Sequence, residues 1–342
     1  MSSADAGAGT AALPEPPERP EPADRAGTVD PAGPADTTGP VGTTGPVGTA
    51  GTAEAGVLAA RTGSGRLVRR ALLGNRAAVI GTLTVLVIAL FCFVGPLFYR
   101  TNQVTVRLDL AELPPSAAHP LGTDASGYDV LGRLMEGGRS SLELGFAVAV
   151  ATTVLGALYG AFAGLVGGIV DSLMMRIIDT FLAVPGLVLL LILVNLFTPN
   201  LWLIIILLSL LSWIGVARLV RGEVLTLRTR DFVLASTMMG ATRWRVVVRH
   251  LLPNAFGVIV VSATFTIADA ILTLSTLSFL GLGLPPPHAD WGTMLSDGLN
   301  YLFDGYWWLV YPPAIILIVT VVAFNLIGDA VHNALDVRLS NN

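Results

Sequence analysis

Six long apolar runs divide this chain, at residues 77–98, 144–170, 181–197, 201–217, 255–284 and 310–327. The first holds 22 residues without a charge. That is about 33 Å as an α-helix at 1.5 Å per residue, enough to cross a bilayer. Polar, turn-rich segments separate the runs, so the pattern predicts an all-α fold of six membrane-spanning helices. Pro185 falls where it kinks or starts the third span, and Thr198-Pro199-Asn200 turns the chain into the fourth. Thirty residues are too many for one upright crossing, so the fifth run (255–284) is expected to end along the interface. Leu284-Pro285-Pro286-Pro287 then breaks it.

Several features lie inside these runs. Gly156, Gly160, Gly164 and Gly168 recur every four residues, which puts all four on one helix stripe for close packing against a neighbour. Asp269 is the one acid of the fifth run. A carboxylate at that depth lines a translocation path or pairs with a neighbouring helix.

The segments between runs carry most of the polarity. Residues 99–141 form a polar loop with His119-Pro120-Leu121-Gly122-Thr123-Asp124 and Gly127-Tyr128-Asp129-Val130, both turn-rich. His119, Asp124 and Asp129 read as turn and cap formers rather than metal ligands. A short loop with Asp171, Arg176 and Asp179 follows the second run. Asp290, Trp291, Asp297 and Asp304 lie in a loop after the fifth, with Trp307, Trp308 and Tyr311 as an aromatic interface belt. Residues 329–342 read as a short tail.

The polar segment 228–253, RTRDFVLASTMMGATRWRVVVRHLLP, is different in kind. With Arg221 just upstream it brings six arginines: Arg221, Arg228, Arg230, Arg243, Arg245 and Arg249. Residues 232–239 favour helix, Gly240 interrupts, Thr242 can cap a second helix, and Pro253 is expected to stop it. The result is a helical elbow, in which Phe232, Trp244 and Val247 can anchor a soluble partner through their apolar surface.

Composition agrees with the membrane reading. The 342 residues are 53% hydrophobic and 13% charged, with mean hydropathy +0.70; a soluble domain carries about 25% charged residues. All 20 basic residues are arginine. Setting aside Arg19 and Arg25, 14 flank the side that holds the elbow and four (Arg100, Arg107, Arg133, Arg139) lie on the other. That bias predicts a cytoplasmic elbow and cytoplasmic termini. Residues 1–56 are Ala, Gly, Pro, Thr and acids, with TTGPVG twice in tandem, and are expected to be a disordered, solvated tail without a signal-peptide core. The single Cys92 allows no disulfide within the chain. There is no lysine to complete a Walker A phosphate loop, so the chain is not expected to bind ATP in that way. An enzyme at membrane depth would need His or Glu inside a span, and a channel or ion-coupled carrier several ionisable groups; neither pattern is present.

Gly240 with Arg249-His250-Leu251-Leu252-Pro253 resembles the "EAA" loop of binding-protein-dependent ABC permeases. His119–Asp124, Gly127–Val130, Asn254, Leu277-Ser278-Phe279-Leu280-Gly281-Leu282-Gly283, Trp291-Gly292 and the run from Ala323 to Asp329 look like the C-type permease subunit of dipeptide and oligopeptide importers, and of their nickel-importing relatives. The resemblance covers about residues 66–339. It implies a type I ABC importer fold, peptide or nickel cargo, and no catalytic residue, metal or cofactor in this chain. It also implies a second homologous permease, two ATP-binding cassette subunits that carry ATP and Mg, an extracytoplasmic substrate-binding protein, a lipid bilayer and no nucleic acid. Coupling to the ATPase would fall to Asp231, Ala235, Ser236, Gly240, Arg245, His250 and Pro253. The elbow would move as a rigid body and swing the third to fifth spans. The sequence departs from the family pattern at Leu234, where a Glu is usual, at Ser236 for an Ala, and at Tyr128 for an Arg. The expected organisation is a tail (1–60), the first span with its loop (61–140), the transmembrane core (141–330) and a C-terminal tail (331–342).

Overall fold

The computed structural model describes residues 75–197 and 199–340, the side chains of Arg243 and of residues 334–340 excepted. The tail, the basic stretch from Arg61 to Arg70 and Thr198 lie outside the described residues. Among the described residues ten α-helices follow in order: α1 Arg76–Phe98, α2 Val130–Val166, α3 Gly168–Leu182, α4 Gly186–Leu196, α5 Leu201–Arg228, α6 Asp231–Met238, α7 Arg243–Val246, α8 Leu252–Phe279, α9 Trp291–Leu299 and α10 Trp307–Ser340. A π-turn, Val247–Leu251, joins α7 to α8. Among the described residues no strand forms, only an isolated bridge between Thr123 and Asp129.

Among the described residues five helices are long and apolar enough to cross a membrane, and α3 with α4, bent by 75°, counts as a sixth if taken as one span. The third span is thus not the single run 181–197. It breaks at Ala183–Pro185, where Pro185 opens α4, and the acids read as a loop, Asp171 and Asp179, belong to helix α3. Pro185 has no N–H to continue the α3 ladder and stands as the N-cap of α4, where that N–H is not needed.

The second span starts far earlier than residue 144. Asp129 caps α2 by accepting the Gly132 N–H at 2.8 Å, and the helix runs 37 residues to Val166. Gly167 ends it at φ +65°. That ending removes Gly168 from the predicted stripe: it opens α3 at φ +60° and a side chain there would meet nothing within 4 Å. The other three glycines lie against α5. A Cβ on Gly160 would sit 2.2 Å from the Ala217 carbonyl oxygen, one on Gly156 2.6 Å from Val216 Cβ, and one on Gly164 2.9 Å from Val224. Both helices advance in the same direction through these contacts, so α2 and α5 run parallel. In lipid, close backbone approach of this kind drives helix association where the hydrophobic effect does not.

Ion pairs tie the broken span to the same unit. Arg221 grips Asp171 with two hydrogen bonds, 2.5 and 2.6 Å, and Arg218 pairs with Asp179. Around α2, α4, α5 and α8 the core is Leu144, Val148, Leu190, Ile204, Leu274 and Leu277. A second cluster joins α1, α2, α8, α9 and α10 through Cys92, Leu142, Ile271, Trp291 and Phe324.

Three further expectations change. The segment after the fifth span holds helix α9, capped by Asp290, whose Trp291 is fully buried and donates from Nε1 to the Leu134 carbonyl at 3.0 Å. Trp307 and Tyr311 are exposed as a belt requires, but Trp308 is buried and points its Nε1 at the Thr123 carbonyl, 3.4 Å away. The C-terminal segment continues α10 through Ser340, past the predicted end of its span at Ile327.

Candidate functional site

The candidate site is the elbow. α5 ends at Arg228, and Asp231 opens α6 within three residues. Val233 and Ser236, one turn apart, turn inward; Val233 joins Val246, Val247 and Leu251 on Ala157 and Ala161 of α2 and Val220 and Val224 of α5. Gly240, at φ +84°, makes the corner, a backbone region that L side chains avoid. Its N–H donates to the Thr237 carbonyl at 3.0 Å, and Ala241 N–H to Ser236 at 3.1 Å. Thr242 starts the second arm by accepting the Arg245 N–H at 3.4 Å.

Pro253 does not stop that arm. The chain runs helical from Trp244 to Phe279. The π-turn directly before Pro253 widens the helix by one residue, and there the missing N–H and the bulk of the ring are accommodated. Asn254 braces the turn with its amide donating to the His250 carbonyl at 2.5 Å.

The residues expected to couple the elbow to a partner fall into two groups. Ser236, His250 and Gly240 build the corner itself: Ser236 Oγ lies 3.4 Å from His250 Nε2, and the His250 ring tilts against Phe232 at 6.3 Å. Asp231, Ala235, Arg245 and Pro253 are exposed. Leu234, at the position of the family's Glu, is exposed as well.

Val247 cannot anchor a partner, because it is buried under the elbow. The exposed apolar side chains of the elbow are instead Met238 (89% exposed), Met239 (82%) and Trp244 (62%), and to a lesser degree Phe232, Leu234 and Val248. The methionines were missed at the sequence level. The signal was there: two consecutive large apolar residues directly before a corner glycine cannot both face inward on a helix whose buried positions are Val233 and Ser236.

At the opposite end of α2, the residues read as turn formers make a second constellation. His119 Nδ1 and Tyr99 Oη each lie 2.8 Å from Asp129 Oδ2. Burial, with Asp129 accepting its hydrogen bond, pushes the Tyr99 phenol up to about 12. Asp124 accepts from the Ser126 and Tyr128 N–H groups, both at 2.9 Å. Arg133 stacks over the Tyr128 ring at 4.3 Å and donates to the Pro287 carbonyl at 2.9 Å. Asp124, Arg133, Asp297 and Tyr301 line a small cleft there. Loss of hydration raises the pKa of Asp297, the Asp124 charge adds to it, and Arg133 opposes. These groups knit the loops to α2 and α9, and none is placed as a nucleophile or general base toward a common atom.

Asp269 lies in the middle of α8 and is exposed. Among the described residues no cation or hydrogen-bond donor meets its carboxylate.

Residues 156–341 match the family described as binding-protein-dependent transport system inner membrane component, and residues 64–115 match the N-terminal TM domain of oligopeptide transport permease C. The dipeptide transport system permease protein DppC of Bacillus subtilis (strain 168) is 41% identical over 270 residues, 79% of this chain and 84% of that protein. The oligopeptide transport system permease protein OppC of the same organism is 41% identical, over 78% of this chain and 87% of that one. The OppC of Escherichia coli (strain K12) is 39% identical over 78% and 89%. A solved structure of the MetNI methionine ABC transporter in an inward facing conformation superposes with a TM-score of 0.50 at 22% identity, covering 59% of this chain and 96% of that one, a likeness of fold alone. The chain therefore belongs to the binding-protein-dependent transport system inner membrane components, and among them to the C-type permease family of dipeptide and oligopeptide importers.

Proposed function

We propose that this chain is the permease subunit of an ABC importer that moves dipeptides or oligopeptides across the cytoplasmic membrane. ATP hydrolysis in separate subunits drives it, a second homologous permease completes the pore, and an extracytoplasmic binding protein delivers cargo. The elbow carries this reading. It puts Met238, Met239 and Trp244 into solvent on a rigid corner whose other side is packed into the spans. Exposed methionines and a large aromatic, in a segment that also exposes Arg230 and Arg245, suit a groove on a soluble partner better than a lipid surface. The arginines cluster at this end, which supports a cytoplasmic elbow and cytoplasmic termini. Peptide cargo is supported by the relatives, which are named for dipeptide and oligopeptide transport.

The test is affinity purification of the tagged chain from gently solubilised membranes. Wild type should bring down two ATPase subunits, a second permease and, with added receptor, a peptide-binding protein. Burying one methionine contributes about 1.5–3 kcal/mol, so Met238→Ser/Met239→Ser should lower ATPase recovery at least about tenfold. The second permease should still co-purify. Recovery of the chain alone, or undiminished ATPase on the double variant, would overturn the docking role.

A further inference from the structure

The elbow leaves one feature of the spans unexplained, the polar face of α8. Ser262, Thr266, Asp269, Thr273 and Thr276 follow one another at spacings of four, three, four and three residues. At about 100° per residue they fall within roughly 80° of one another on the helix circumference. All five are exposed or half-buried. The opposite face of α8, with Ile267, Ala268, Ala270, Ile271, Leu274 and Leu277, is the one packed into the protein. Ser275 and Ser278 are buried on that face and Leu272 and Phe279 are exposed beside the stripe, but the helix's one carboxylate and the hydroxyls in line with it face away from the core, where a lipid-facing surface would be apolar.

Depth sharpens the point. Helix α8 spans Leu252–Phe279, and Asp269 stands ten residues before its end. That puts the carboxylate about 15 Å along the axis from that terminus, half the thickness of a hydrocarbon layer of about 30 Å whose edge α8 reaches at Phe279. An ionised group there faces water or a partner charge. The polarity of the stripe is also one-sided. Thr266 and Thr276 spend their hydroxyl hydrogens on the Ser262 and Leu272 carbonyls, each at 2.8 Å, and so offer only lone pairs outward. No Arg, Lys or His lies among the residues of α8. Hydroxyl acceptors around one carboxylate make a surface that attracts a cationic, hydrogen-bond-donating group.

We propose that this face of α8 lines the aqueous translocation path, and that Asp269 receives a cationic group of the passing cargo while the Ser and Thr hydroxyls flank it. The inference rests on the importer reading. The shared ligand chemistry is a cation, from the terminal ammonium of a peptide or from a metal ion.

The assay uses the complete importer, with its partner permease, ATPases and binding protein, in proteoliposomes. Cys92→Ala removes the native thiol. Single cysteines then replace Ser262, Thr266, Thr273 or Thr276, and Ile267 or Ala270 as buried controls. Modification is followed with a trimethylammonium-ethyl and a sulfonato-ethyl methanethiosulfonate. Stripe positions should react far faster than the controls, and the cationic reagent at least about tenfold faster than the anionic one, a ratio that Asp269→Asn collapses toward one. Dialanine should protect the stripe, and N-acetyl-dialanine should not if the cation is a peptide ammonium; protection by Ni²⁺ alone assigns a metal ion instead. Uptake measured in the same vesicles separates the two ways of failing. Stripe cysteines as slow as the controls, with ATP-driven uptake intact, overturn the inference and leave the face sealed by protein or lipid. Fast stripe modification without protection by any cation, uptake again intact, overturns the cargo contact. Fast, charge-selective modification with no ATP-driven uptake overturns the importer reading and leaves an aqueous path.

Discussion

Gly240 allows the elbow to be tested with a graded series, because its constraint is one of backbone angle and not of space. It sits at φ +84°, and a Cβ added there would meet no atom within 4 Å. Alanine is therefore strained without being blocked. Holding an L residue in the left-handed region costs roughly 1–2 kcal/mol, which lowers the population of the native corner about 5- to 30-fold. Asparagine tolerates the same region far better, so Gly240→Asn should stay within about threefold of wild type. Proline fixes φ near −65° and loses the N–H that Gly240 donates to Thr237 at 3.0 Å. Gly240→Pro should then reach the native corner too rarely to measure. If the corner geometry transmits work, cargo uptake and cargo-stimulated ATP hydrolysis in proteoliposomes should fall in the order Gly, Asn, Ala, Pro. The amount of inserted permease, measured in the same membranes, should stay constant. Equal uptake by the Ala and Pro variants, or an Asn variant as poor as Pro, would refute the reasoning.

Other predictions use the packing and the loops. Gly160→Ala should lower the thermal midpoint of the purified protein by pushing α5 off α2, since its Cβ would lie 2.2 Å from a backbone oxygen, whereas Gly186→Ala, with nothing within 4 Å, should leave the midpoint unchanged. Asp171→Ala and Arg221→Ala should each destabilise, by about 1–3 kcal/mol, and the double variant should be no worse than the poorer single one; additive losses would rule out the pair as a unit. Asp297 has its pKa raised above 3.8, chiefly by lost hydration, so the folded state favours its neutral form. Its contribution is present at acid pH and is lost as pH rises through the folded value. Asp297→Asn should accordingly flatten the decline of the thermal midpoint measured from pH 4 to pH 8, and identical slopes in both proteins would count against the assignment.

Much of this fold can be read from apolar run length alone, and the departures from it have specific causes. Run length places α1 and the start of α5 well because these ends coincide with changes of polarity at Asn75 and Asn200, both side-chain caps, whereas α5 continues eleven residues past its apolar run to Arg228 and α8 ends five residues before the end of its run. It misplaces the start of α2 by fourteen residues, because Val130 to Glu143 carries Arg133, Glu136 and Arg139 and so reads as loop. Helix there depends on contacts invisible in one stretch of sequence: the Asp129 cap, Arg133 over Tyr128, and Trp291 bonded to Leu134. The same holds at Pro253, where local propensity ends a helix and a π-turn carries it through. At the elbow, residue types located the corner, but which apolar side chains stay free was decided by α2 and α5, which cover Val247 and leave Met238 and Met239 bare.

That covering also changes which spans must move with the elbow. The sequence suggests the third to fifth. Val233, Val246, Val247 and Leu251 rest on Ala157 and Ala161 of the second span as much as on Val220 and Val224 of the fourth. These contacts continue into the glycine stripe, where Gly160 leaves no slack against the Ala217 carbonyl. A close-packed, backbone-to-backbone interface does not shear gradually under load, so α2 and α5 respond as one body. Asp171 and Asp179 pin α3 to that body through Arg221 and Arg218, and α8 is continuous with the second arm of the elbow. The bend at Ala183–Pro185 sits where α3, held by the ion pairs, gives way to α4, which carries no such pair among the described residues. Under the importer reading, a push on α6 therefore displaces α2, α3, α5 and α8 together and flexes the third span at its break, carrying the polar face of α8 with it.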